Sequence, residues 1–460
     1  MSDIMRWTQK DGYWCMPLDP GEREFVWFGD LGKPIGREFW VVMVSARVRF
    51  SSEDPARDLR SAWRAQRFIH PGIAVQLIDG QKRYETVRDA PALEAWCDAT
   101  FHVESDALSS DDLFKNHIRV AGPQVTCHWI PATSQIALVT SHWRLDAYGA
   151  TWILSSLLES LGNSSPDPPT FNGEEVKNLA VSFDEALALP NKWDPSWEQR
   201  ALDLQAKEFE GGPGIALLPS YPNVLPGGTD RVEIVLSEEE TSALRTAARQ
   251  LGFTITSVLH ASMIAETVLG NPDSPATRYM TFGLFDMRKY CKPPSNGPGD
   301  AATFRMHWQA INVEARASWN ELARSLQDLY HQSWDWRIDD GIFLRHPYIN
   351  AGHAMRTSLP PDTPQPAEPV LNSLGIIDSN LIQHQYGAVE VEHVSYNNSI
   401  LSKQTVTEVF TWGGSMHISA NFNEAFYTKD FMECFLLSMK DNAFRNLGIS
   451  AGMEKGSKGI

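Results

Sequence analysis

In the first half of the chain, apolar residues fall alternately into strand and helix spacing. Trp40 to Phe50 is β-branched and alternates toward its end, which predicts a strand. Asp54 to Phe68 carries helix formers with apolar residues near helical spacing, Gly72 to Ile78 reads as a strand, and Ala90 to Cys97 as a short helix. Val125 to Ile130 and Gln135 to Thr140 predict a hairpin around Pro131-Ala132-Thr133-Ser134. Beyond it, Ile153, Leu154, Leu157, Leu158 and Leu161 define one buried helix face, which ends at Gly162-Asn163.

Periodicity breaks between about residues 188 and 230, where prolines 190, 195, 213, 219, 222 and 226 cluster. The expected organisation is an N-terminal lobe over 1–190, a crossover over 191–230 and a C-terminal lobe over 231–460. The second half restarts with a strand from Arg231 to Leu236, and Ser237 with Glu240 reads as the capping box of a helix that Gly252 stops. Thr256 is the expected cap of a helix from Ser257 to Leu269. Strands are expected over Tyr279–Phe285 and Phe304–Val313, and a helix from Trp319 to about Trp336. A Pro-rich loop from Leu359 to Pro369, strands over Val406–Trp412 and Met416–Asn421, and a helix over Phe431–Met439 complete the pattern. Strands and helices thus mix in both halves, an α/β (α+β) class.

Composition narrows the function. With 42% hydrophobic and 21% charged residues the chain reads as a soluble globular protein. A net charge of −17 disfavours nucleic acid and anionic membrane surfaces as partners. The five cysteines are scattered without a Cys-x-x-Cys pair, so neither a disulfide framework nor a zinc site is suggested. The start of the chain lacks the blocks of a signal peptide, and a cytoplasmic, monomeric protein with no bound metal is expected. No Gly-x-Ser-x-Gly elbow, phosphate loop or His-Glu-x-x-His helix is present.

One spacing carries candidate chemistry. Of the thirteen histidines, His102, His142 and His331 are each followed four residues on by an aspartate. His331 and Asp335 lie within the run predicted as helix, where they form a local polar pair. His102 and Asp106 sit in a polar segment that no apolar strand leads into. His142 follows a predicted strand, and after Asp146 and Gly149 a buried helix opens. A neutral histidine at a strand end can accept a proton from a hydroxyl. Equally, Asp146 can be a helix cap and His142 a satisfied interior side chain.

With its flanking landmarks the chain resembles the chloramphenicol-acetyltransferase-like and condensation-domain superfamily, in particular fungal trichothecene 15-O-acetyltransferase-like proteins. Ser141 to Gly149 is similar to the active-site motif of that superfamily, and Gly283 to Arg288 to its strand ending in arginine. Asn372-Ser373-Leu374-Gly375 resembles its Ser/Asn-Leu-Gly turn, and Asn421 to Tyr427 its late Tyr-Asn-Glu-Ala-Phe signature. The resemblance implies two αβ lobes, each with a mixed sheet, and a solvent tunnel between them. His142 would be the general base, with Asp146 braced by Arg288; the other reading of Arg288 is an exposed arginine beside Lys289. Asn372, Ser373 and Trp412 would be substrate-binding residues. Acetyl-CoA or another acyl-CoA would be the co-substrate, a small-molecule alcohol the acceptor, and no cofactor would be permanently bound. Two features depart from the pattern: Ser141 replaces the first histidine of condensation domains, and Gly149 falls later than the glycine of plant members. Lys289, Lys292 and Arg305 are nearby cations whose default reading is surface charge. Two other functions fit the same fold: condensation-like chemistry without CoA, and ligand binding without turnover.

Overall fold

The computed structural model describes residues 5–163, 170–189, 194–332, 345–360, 363, 365–378 and 380–449. Local signals start its first elements. Asp19 and Glu22 form a capping box that opens α1 (Pro20–Asp30). The β-branched run gives β1 (Val41–Arg49), whose first six residues are all buried. Asp54 caps α2 (Pro55–Ile69) and Asp89 caps α3 (Ala90–Thr100), which leads into β2 (Phe101–Val103). The expected hairpin is β3 (Thr126–Ile130) and β4 (Gln135–Ser141), and α4 (Ala147–Gly162) follows. Gly72 to Ile78 is not one strand. Pro71 fixes the backbone for a 3₁₀ turn over Pro71–Ala74, and only Gln76–Ile78 is extended, in a small N-terminal sheet with Thr8–Lys10, Tyr13–Pro17 and Gln81–Tyr84.

The proline-rich crossover contains α5 (Ser196–Glu208). Pro195 stands at its N-cap, so the proline starts the helix instead of breaking it. Then come β5 (Thr229–Leu236), α6 (Glu238–Gln250) with the expected capping box, and α7 (Ile255–Gly270). The cap of α7 is Thr254 and not Thr256: the Thr254 hydroxyl accepts from the Ser257 amide, whereas Thr256 lies inside the first turn and donates to Ser373. β6 (Arg278–Asp286) and β7 (Met306–Glu314) pair antiparallel, and α8 (Trp319–His331) starts on a Ser318/Glu321 box. The expected extension of α8 to Trp336, and with it Asp335, lies outside the described residues.

The sequence pattern had no counterpart for α1, β2 and α5, nor for α9 (Arg345–Thr357), β8 (Pro369–Ile376), β9 (Gln385–Tyr386) and β10 (Val389–Asn398). In β10 a register shift between Val391 and His393 interrupts the two-residue alternation that would have announced a strand. β11 (Thr405–Trp412), β12 (Ser415–Asn423) and α10 (Lys429–Asn446) end the fold.

Two mixed sheets organise these elements. The six-stranded sheet runs β9-β10-β1-β4-β3-β2 and the four-stranded sheet β8-β11-β12-β5. β10, from the second half of the chain, pairs antiparallel with β1 from the first, so the two halves share one sheet. The larger core includes Trp63, Leu138, Leu154 and Leu157; a second, including Leu259, Leu322, Ile418 and Leu436, lies between the four-stranded sheet and α7, α8 and α10. Among the described residues no single helix is long and apolar enough to cross a membrane.

The α7 cap is testable. Thr254→Ala should cost about 1 kcal/mol or more in urea denaturation, because a helix N-terminus loses its side-chain acceptor. Thr256→Ala leaves that cap in place and should cost clearly less.

Candidate active site

His142 emerges where β1 and β4 stop pairing. Ser141 lies opposite Val41, and the His142 amide donates to the Trp40 carbonyl at 3.1 Å. Trp40 carries a φ of +62°, a strained backbone for a bulky residue. Its own amide donates to the Ser399 carbonyl at 3.0 Å, and its ring stacks on Phe39, so neighbours on both sides hold the strain. The His142 ring packs against Phe25 at 4.4 Å, Phe304 at 5.9 Å and Trp40 at 6.1 Å between centroids.

The two ring nitrogens differ. Nδ1 is sealed from solvent and has no hydrogen-bond partner, while the backbone of His142 and Leu145 acts on the ring as a whole. Nε2 is the nitrogen left to meet a substrate. Burial lowers the pKa of the ring, outweighing that backbone and the charge of Asp146. The imidazole is therefore neutral at neutral pH.

Asp146 does two jobs that sequence reasoning held apart. It caps α4, accepting from the Gly149 amide at 2.9 Å. It also takes a two-pronged bond from Arg288, at 2.9 and 3.0 Å, and the Arg305 amide at 2.7 Å. Both carboxylate oxygens thus accept two hydrogen bonds. Burial would raise its pKa, but the Arg288 charge and these bonds hold it below the usual aspartate range. No lone pair is left for proton transfer or for substrate.

Arg288 follows β6 and is 4% exposed, so it is not the exposed arginine that the sequence also allowed. Its guanidinium also reaches Asp286 at 2.8 Å and lies over the Trp152 ring at 5.1 Å. Gly149 is there for want of room: a Cβ would stand 2.5 Å from the Ala301 carbonyl and 2.9 Å from that of Thr303. Arg144, which sequence reasoning passed over, anchors the loop from within. Its guanidinium donates to Val75, Pro123 and Thr140.

His142 lines a crevice with room for about 80 Å³ of solvent. Asn372 and Ser373 are on its wall, as are Tyr396, Asn398 and Glu408, which no motif had marked. Trp412 is not brought there; it is buried against the His384 ring at 3.8 Å. Lys289 and Lys292 are exposed, but Arg305 is not surface charge: it is 2% exposed and paired with Asp300 at 3.0 Å. His102 rests against His128 at 5.0 Å, and Asp106 is exposed.

Among the described residues, ligand-type atoms of Glu233, His393 and His417 lie within 4.8 Å of one another. The Arg231 guanidinium, 2.7 Å from Glu233, already neutralises that carboxylate, and each imidazole meets one of its oxygens at 3.2 Å. The group fits a polar clasp between β10 and the β5–β12 pair.

Replacing Asp146 should expose what the brace contributes. Asp146→Asn leaves the buried Arg288 guanidinium with Asp286 as its one carboxylate and should cost about 3 kcal/mol in chemical denaturation at pH 7. Because the folded pKa of Asp146 is depressed, its contribution is present above the unfolded value of about 4 and disappears as pH falls through the folded one. The difference between wild type and variant should therefore shrink in acid.

No family model matches the chain. It is 28% identical to the acetyltransferase pigO of Monascus ruber over 97% of this chain and 99% of that protein. The solved TRI3 trichothecene 15-O-acetyltransferase from Fusarium sporotrichioides superposes over 96% of this chain and 97% of its own, with a TM-score of 0.78 and 16% identity. The first condensation domain of the CDA synthetase matches with a TM-score of 0.63 and 12% identity, over 95% and 96%. The mixed sheets are those of the chloramphenicol-acetyltransferase-like fold, and by sequence kinship to the fungal acetyltransferases this chain is an acyltransferase.

Proposed function

We propose that the protein transfers an acyl group, acetyl in the first instance, from acyl-CoA to a hydroxyl of a fungal-type secondary metabolite, with His142 as general base. One observation carries the reading: a neutral histidine offers a free Nε2 to a crevice while its carboxylate neighbour is wholly occupied elsewhere. In the transfer, His142 Nε2 takes the hydroxyl proton as the acceptor oxygen attacks the thioester carbonyl. The tetrahedral adduct then collapses, the C–S bond breaks, and the departing thiolate receives that proton from the imidazolium. Atoms and charge balance without a metal or an oxidant.

The acetyltransferase name of the sequence relative supports the reaction class, and the likeness to a trichothecene acetyltransferase structure supports an alcohol as acceptor. Ser141, where condensation domains carry a histidine, favours a soluble thioester over a carrier-bound one.

Release of free CoA from acetyl-CoA, followed with a thiol reagent across hydroxylated terpenoids and polyketides, tests the proposal. His142→Ala should lose about 100- to 10,000-fold in kcat while still unfolding in one cooperative thermal transition. Full turnover in that variant would dismiss His142 as the base. Absence of CoA release by the wild type with every acceptor would dismiss the transfer itself.

A further inference from the structure

Glu408 has no role in the chemistry above, yet it occupies a costly position. It is the only charged residue of β11, a strand buried at every position, and is itself 1% exposed. It forms no ion pair among the described residues. Its two oxygens instead accept the side-chain amides of Asn372, from β8, at 2.7 Å and Asn398, from β10, at 2.5 Å. All three line the crevice that holds His142. Burial pushes the Glu408 carboxyl up to about 8, against the pull of Asn372, the Arg231 charge and Asn398. At neutral pH it thus carries a proton.

Both Glu408 oxygens are already in use, so its O–H suits a ligand oxygen that only accepts, such as a carbonyl or ether oxygen. Leaving such a buried donor unmet is expensive, so a ligand lacking the matching atom is penalised.

We infer that Glu408, set between Asn372 and Asn398, donates a hydrogen bond to a carbonyl or ether oxygen of the acceptor, remote from the hydroxyl that His142 activates. The enzyme thereby selects alcohols that carry a second, acceptor-type oxygen. This rests on the acyltransferase reading for the identity of the ligand as an acceptor alcohol; the subsite itself can be examined by binding alone.

Matched pairs of polycyclic alcohols, with and without a ring ketone, serve as probes. Each is titrated into wild type, Glu408→Ala, Glu408→Met and Glu408→Gln by equilibrium binding, and CoA release is followed in parallel with acetyl-CoA. Glu408→Met keeps the side-chain volume without a donor, and thermal melts show which variants fold. Wild type should favour the hydroxyketone by about tenfold, the ratio one such hydrogen bond supplies. The preference should vanish in the Ala and Met variants and persist in Glu408→Gln, whose amide still donates. Equal binding of each pair by wild type, no binding of either, or a preference that survives Glu408→Met would overturn the inference. A ketone preference in binding without any CoA release would retain the subsite and sink the transfer reading instead.

Discussion

The buried pair of Asp146 and Arg288 is the constraint on which the site depends. Each side chain is almost wholly out of water, and taking both charges inside costs several kcal/mol per ion. What offsets the cost is completeness: two parallel bonds between the partners, two backbone amides on the carboxylate, and Asp286 on the guanidinium. The pair joins the start of α4 to the turn after β6, segments far apart in sequence. It fixes the loop that presents His142, and the close approach of Gly149 to the carbonyls of Ala301 and Thr303 leaves that joint no slack.

Electrostatics follow from the same arrangement. A carboxylate near an imidazole normally favours the protonated ring, but here Arg288 already compensates the aspartate. Burial among Phe25, Trp40 and Phe304 then decides the state of His142, and it decides for the neutral form. Across the crevice, burial acts on Glu408 in the same sense and keeps it protonated. Beside the charged Asp146–Arg288 pair, the crevice wall thus carries two groups, His142 and Glu408, held uncharged by exclusion of water.

Much of this was legible in the sequence, and the parts that were not have physical reasons. The β3–β4 hairpin, the capping box of α6 and the leucine face of α4 are local signals and survive folding unchanged. His142 could be singled out because a buried strand precedes it. Whether Asp146 was a cap or a brace could not be decided, since both roles use the same carboxylate and the structure uses it for both. β10 was hidden by its register shift, and α5 by prolines that flank it. Trp412 shares a face of β11 with Glu408 but stands four residues further along the strand, against His384. Glu408 gave no signal, as a lone carboxylate in a strand reads as surface until its two asparagine partners are seen.

The pH dependence of kcat/KM for acyl transfer, measured with one acceptor that turns over, tests the central claim most directly. A neutral base in a dry pocket should give a single acid limb with its midpoint below 6.5, the ordinary histidine value, because burial lowers that pKa. Activity should be flat from there through neutral pH. An acid limb centred at or above 6.5 would contradict the account, since His142 would then enter the reaction charged and the brace would not be doing what its geometry implies.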